Sequence, residues 1–279
     1  MKKARQPPSL AAGIGAAPEI FYPGRDTVCS EAFSRFLTEY HANLDAFFFV
    51  VKLVARADEN RVRAAEALLP SASTEEDRQR YEKSIADKGL ILRGLQKHAT
   101  VQSQNLTNGA VNSFQRYFSS IIQIAANKRP SLMISSQHIR VDDVFRFTRH
   151  KDLVSFIIDR KVNDLSYGGL SEMERYFDER LGIKMFESEE QRNLLRLFIE
   201  ARNINVHNGG IVNELFMTRV GNVDGYVYTK GKRLHIDMDQ LVALSENAMR
   251  VALSIDGLVT SKFRLRRQSH RAWRGEKPQ

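Results

Sequence analysis

Arg202, Asn203 and His207 lie in the stretch IEARNINVHNGGIV, residues 199–212, and their types and spacing suit chemistry. Arginine is permanently cationic and offers a planar fork of donors to an anion. Histidine exchanges a proton near neutrality, with an unperturbed pKa of about 6.5. Together they suit acid–base work on a negatively charged group. The same residues have an ordinary reading too. A histidine at a helix C-terminus is favoured by the helix dipole, and an arginine on a helix flank points to water.

The element that must position them is a helix. Ser188-Glu189-Glu190-Gln191 has the S-x-x-Q form of a capping box and opens it. Its core stripe is expected to be Leu194, Phe198, Ala201 and either Asn205 or Ile204. At about 100° per residue, His207 falls about 140° round from Arg202, so the two do not share a face of an ideal helix. Three arrangements bring their end groups together. Arg202 is long enough to reach; the helix ends near His207, broken by Gly209 and Gly210; or two copies of the helix face one cleft across a two-fold axis. Glu200 and Glu214 flank the motif. Either would position His207 through a hydrogen bond, but a solvated surface role is the expectation for both.

Helical periodicity dominates the rest of the chain. Ser30 opens a long pattern through Phe33, Leu37, Tyr40, Leu44, Phe47, Val51 and Val54, which fades before Pro70. Around AFFFVV, residues 46–51, it is apolar on every side, which points to a central bundle position or a subunit interface. Thr74, followed by three acids, starts another helix. A third runs through Val111, Phe114, Phe118, Ile121 and Ala125 and stops before Pro130. Asp142 or Asp143 begins a fourth, with Phe156, Ile157 and Val162 among its apolar positions, ended by Gly168 and Gly169. Ser171–Glu174 forms a second capping box, closed by Gly182. YVYTKGKRLHI, residues 226–236, alternates about Lys230-Gly231 and is expected to be a small β-hairpin. Asp237 caps a last helix with the stripe Leu241, Leu244, Ala248, Val251, Ile255 and Leu258. The expected fold is all-α: a helical bundle with one small β-hairpin before the last helix.

The 279 residues, 42% of them hydrophobic, suffice for a real core. The net charge of +9 sits in the tails. Residues 1–18 contribute +3 and residues 262–279 contribute +6, so the body nets zero. Such tails hold phosphates by sequence-independent attraction, or serve only solubility. Residues 1–27 are expected to be a disordered leader, with a signal peptide as the alternative. Residues 28–107 form an N-terminal helical extension, 108–261 the main helical domain and 262–279 a basic disordered tail. The one cysteine, Cys29, allows no internal disulfide and gives no sign of being a nucleophile. No apolar run approaches the roughly 20 residues that span a bilayer, so no membrane partner is expected and the cytoplasm is the expected location. The seven histidines show no metal-ligand spacing; His138 and His150 are expected at the surface. No phosphate-binding glycine loop is present, and no cofactor is expected.

The stretch EARNINVHNGGIVNELF resembles the signature of the HEPN superfamily (higher eukaryotes and prokaryotes nucleotide-binding), R-x4–6-H with a polar residue after the arginine. Arg202, Asn203 and His207 match it at the four-residue spacing, and HNGGIV is similar to branches found in bacterial defence and toxin-type proteins. The resemblance covers roughly residues 108–260. It implies a metal-independent endoribonuclease, a toxin or phage-defence effector, working as a homodimer with two motifs lining one cleft and restrained by an antitoxin or regulatory protein. It implies His207 as the acid/base, Arg202 as the group that stabilises the crowded phosphorane, and Asn203 as an assistant. Two other readings fit: a HEPN-type protein that binds RNA or nucleotides, or pairs with a partner domain, without catalysis; and a helical interaction module docking through AFFFVV.

Overall fold

Ser30 fixes the start of the first helix. Its hydroxyl accepts from the N–H of Phe33 at 3.1 Å, and α1 runs Glu31–Leu68. The structure, a computed structural model, describes residues 21, 23–24, 27–134 and 140–269. Thr74 accepts from the N–H of Asp77 and starts α2 (Glu75–Ala86). There follow α3 (Leu90–Gln96), α4 (Ala99–Lys128), α5 (Val141–Phe145), α6 (His150–Tyr167) and α7 (Gly169–Tyr176), which widens into a π-helical turn at Phe177–Leu181. Then come α8 (Glu189–His207), α9 (Glu214–Val220) and α10 (Met238–Lys262). Two-residue strands β1 (Val28–Cys29) and β2 (Gln268–Ser269) pair antiparallel. The protein is all-α.

Helix α4 is the hub and touches α1, α6, α8 and α10. Its expected stripe, Val111, Phe114, Phe118, Ile121 and Ala125, is buried throughout. Aromatic contacts lock it to its neighbours: Phe33 meets Tyr117 edge-on at 5.8 Å and Phe118 meets Phe177 at 4.8 Å between ring centres. The Tyr117 hydroxyl donates to the Ala252 carbonyl at 2.9 Å, tying α4 to α10. Asp256 of α10, 1% exposed, accepts from the backbone N–H of Ser30 at 2.8 Å and from its hydroxyl. The start of α1 is thus bolted to the C-terminal half of α10.

Beyond Phe48, α1 leaves this core and packs against α2 and α3. Gly89, at the head of α3, has no side chain to cap it. Asp58 of α1 does so instead, accepting from Ile91 and Leu92 at 3.1 and 2.8 Å. The boundary expected after residue 107 falls inside the continuous helix α4.

Several expectations are corrected. The segment 226–236 is not a self-paired hairpin. Its turn at Lys230-Gly231 is present, with Gly231 at φ +78, but the strand after it pairs elsewhere. The N–H of Leu234 donates to Gly210 and that of Val212 to Lys232, around a single bridge between Ile211 and Arg233. Docking against the end of α8 satisfies this backbone better than an isolated hairpin would. The AFFFVV run is not central: Phe49 and Val50 are 61% and 45% exposed. The helix expected from 142 to 168 breaks into α5 and α6, where Phe147 folds back onto Phe156 at 5.2 Å. Ser171 lies inside α7, which starts without a side-chain cap; Glu174 pairs with Arg192 instead of closing a capping box. At the end of α10, Val259 is buried and Leu258 is 46% exposed. Residues 264–269 of the basic tail continue from α10 into β2. Almost all of the leader, residues 270–279 and His138 lie outside the described residues. Among the described residues, no helix is long and apolar enough to cross a membrane.

Candidate functional site

The polar side of α4 and the polar side of α8 face one groove of about 1070 Å³. On α4 this side is Asn112, Gln115, Arg116, Ser119 and Ser120, spaced i, i+3, i+4, i+7, i+8 opposite the buried stripe. On α8 it is Arg196, Glu200, Asn203 and His207, spaced i, i+4, i+7, i+11. At 100° per residue these four fall within about 60° of one another. The corner between α6 and α7 and the helix α9 close the sides, through Asn163, Ser171, Asn213 and Arg219 among others.

All three residues singled out from the sequence line this groove. Helix α8 ends on His207, as expected from the glycines that follow, and Arg202 and His207 open onto the same groove. Arg202 comes in from the flank, half-buried. Its Nε donates to Asn112 Oδ1 at 3.0 Å and its Nη1 to Asn203 Oδ1 at 3.3 Å. Asn203 therefore orients the arginine. The two hydrogen bonds hold the guanidinium without neutralising it. His207 is exposed and has no side-chain hydrogen-bond partner among the described residues. Of the two candidates for the core stripe, Ile204 is buried; Asn205 is half-buried and donates to Asn108 Oδ1 at 3.5 Å.

The turn after His207 is held by backbone. The Ile204 carbonyl accepts from both Asn208 and Gly210, at 2.8 and 2.9 Å. Arg233 donates to the Gly209 carbonyl at 2.7 Å. Gly210 sits at φ +80, and a Cβ there would lie 2.4 Å from the Gln104 amide nitrogen. Gly210→Ala is expected to cost about 1–2 kcal/mol of stability, mostly from the left-handed backbone, because the end of Gln104 can swing aside. A urea midpoint equal to wild type would show that this turn tolerates a side chain.

Of the flanking acids, Glu214 is solvated as expected and Glu200 is not. Glu200 is 7% exposed, not solvated; it receives Arg219 at 3.3 and 3.4 Å. Its place on the inward face of α8 beside α9 forces a cation to accompany it. Glu214 is exposed and pairs with Lys230. The lining contains four arginines and one acid, Glu200. Arg219 offsets Glu200, and Arg116 pairs with Glu39 from outside the groove. Arg196 and Arg202 have no carboxylate partner among the described residues. Arg196 and Asn112 were missed by the sequence reading. The first was within reach, since it precedes Asn203 by seven residues and His207 by eleven. The second lies 90 residues from Arg202 and carries no local signal.

Cys29 is buried, and burial, with the Asp256 charge as a second cause, pushes its thiol up to about 11. A thiol so protonated is a poor nucleophile. Comparison of the chain with protein-family models, with curated proteins and with solved structures finds no match in any of the three.

Proposed function

We propose that the protein is a metal-independent endoribonuclease of HEPN type, acting in the groove between α4 and α8. The observation that supports this reading is that Arg202, with no carboxylate partner among the described residues, and His207, with no hydrogen-bond partner among them, line one arginine-rich groove. RNA supplies the nucleophile from within, as the 2′-hydroxyl beside each phosphodiester. The 2′-oxygen bonds to phosphorus, its proton passes to a base, and the bond from phosphorus to the 5′-oxygen breaks as that oxygen takes up a proton. The products are a 2′,3′-cyclic phosphate and a 5′-hydroxyl. His207 is suited to one of the two proton transfers. Arg202 stabilises the extra negative charge on the phosphorane, and Asn203 holds the guanidinium in place.

A second copy of the chain, with its own His207, would supply the other transfer. The exposure of His207 at the very end of α8 leaves it open to such an arrangement. An effector role against phage or as a toxin, restrained by an antitoxin or regulatory protein, follows from the same resemblance.

The test is incubation of the purified protein with structured and single-stranded RNA in EDTA, beside His207→Ala. The expected result is fragments ending in 2′,3′-cyclic phosphate that the variant does not produce. Cleavage by His207→Ala at the wild-type rate would refute the assignment. RNA bound by both proteins and cut by neither would favour the non-catalytic RNA-binding reading.

A further inference from the structure

Arg196 is not part of the motif, yet it shares the face of α8 that carries Asn203 and His207. Arg202, the motif cation, sits about 120° away from Arg196 round the same helix. Arg196 is half-buried, and its Nη1 donates to the side chain of Asn193, one turn earlier, at 3.2 Å. No carboxylate accompanies it among the described residues. A partly desolvated cation without a counter-charge is held at a cost that an incoming anion relieves. Six residues separate Arg196 from Arg202, about 9 Å along the helix axis. That distance matches about three nucleotides of a stacked strand at roughly 3.4 Å each, and fewer if the strand is stretched.

The single carboxylate in this lining lies between them, at Glu200, and Arg219 holds it on both oxygens. A strand passing from Arg202 to Arg196 therefore meets no uncompensated negative charge. The uncharged positions on α4 opposite, such as Gln115 and Ser119, offer hydrogen bonds without sequence-reading geometry. At about 1070 Å³ the groove is near the upper end of small-molecule clefts, about 300–1000 Å³. It has room for a short strand; a duplex presents a broad, rigid minor-groove surface instead.

We propose that Arg196 binds a second phosphate of the strand whose scissile phosphate lies at Arg202, and that the substrate is single-stranded RNA threaded along α8. The proposal rests on the ribonuclease reading and names the substrate form and a subsite for it.

The experiment measures binding of a fluorescent single-stranded ten-nucleotide RNA by the full chain carrying His207→Ala, over a range of salt concentrations. Arg196→Ala, Arg196→Lys and Arg78→Ala are each added to that background. Arg78 is an exposed residue of α2, paired with Glu82, and serves as a control for diffuse charge. Removing Arg196 is expected to weaken binding about tenfold at low salt, as for loss of a charge-assisted hydrogen bond. It is expected to lower the slope of log K against log salt by about 0.7, the value for one phosphate on a single strand. Lysine at 196 should restore the slope, and Arg78→Ala should leave it unchanged. An unchanged slope in Arg196→Ala, or equal losses in Arg196→Ala and Arg78→Ala, overturns the subsite. A duplex of the same length bound with the same Arg196-dependent slope overturns the single-strand assignment. If wild type cuts RNA through His207 while Arg196→Ala binds normally, this inference fails and the ribonuclease reading stands. If wild type neither cuts nor binds RNA, both fail together.

Discussion

Arg202→Ala is expected to lower kcat for RNA cleavage by about 10²–10³-fold, the range for loss of one donor to a developing oxyanion. The loss should appear in kcat and in kcat/KM alike, because the arginine's added value arises where charge accumulates on phosphorus. Arg202→Lys should recover little. The fork of Arg202 uses Nε on Asn112 and Nη1 on Asn203, which leaves Nη2 without a hydrogen bond among the described residues. A lysine ammonium has no planar fork with which to keep both hydrogen bonds and still address a phosphate. Because Arg202 is half-buried with no carboxylate partner, its removal should leave folding intact. Circular dichroism and a thermal melt separate lost chemistry from lost structure. Wild-type cleavage by a folded Arg202→Ala protein would remove the arginine from the mechanism. A variant that raised KM and left kcat alone would make it a ground-state binding residue.

Asp256→Ala is expected to cost about 2–6 kcal/mol of stability. The carboxylate accepts both donors of Ser30, whose residue is 1% exposed. Alanine would leave two buried donors without an acceptor, at about 1–3 kcal/mol each. The loss should spread to the start of α1, because the Ser30 hydroxyl also caps that helix. Burial pushes the Asp256 carboxyl above the usual carboxylate range; the two Ser30 donors and the charge of Arg267 pull the other way and lose. The sign of the pH dependence follows. A carboxyl that holds its proton more tightly folded than unfolded stabilises the fold as pH falls through the raised value. Its contribution becomes less favourable as pH rises from the unfolded pKa, about 3.9, to the folded one. Asp256→Asn mimics the protonated form. It should match wild type most closely at acid pH and remove this residue's share of the pH dependence. Urea unfolding of the three proteins between pH 4 and 8 reads both effects. An Asp256→Ala protein as stable as wild type would mean that Ser30 finds another acceptor.

The sequence alone determined where four of the helices start. Ser30, Thr74, Ser188 and Asp237 each cap the helix they were expected to start, because a capping hydroxyl or carboxylate needs only the N–H groups two or three residues ahead. The stripe of α4, and that of α1 as far as Leu44, followed from 3.6-residue periodicity, and the end of α8 followed from Gly209 and Gly210. Arg202, Asn203 and His207 stood out for their types and spacing.

Tertiary structure decided what those residues meet. Residues 231–234 had an alternating pattern and a turn, yet their pairing partner, Gly210–Val212, is fixed by where α8 ends. Glu200 carries no mark in the sequence that separates it from Glu214; only the packing of α9 against α8 buries one and leaves the other in water. The body of the chain nets zero charge, and charge counting along it shows no basic face. Folding sorts those charges: α4 and α8 turn Arg116, Arg196 and Arg202 toward one groove, and the acids that balance them in the count lie elsewhere or are already paired. A helix sets spacing along one strand of chain, but the meeting of Asn112 with Arg202, 90 residues apart, belongs to the contact between two helices.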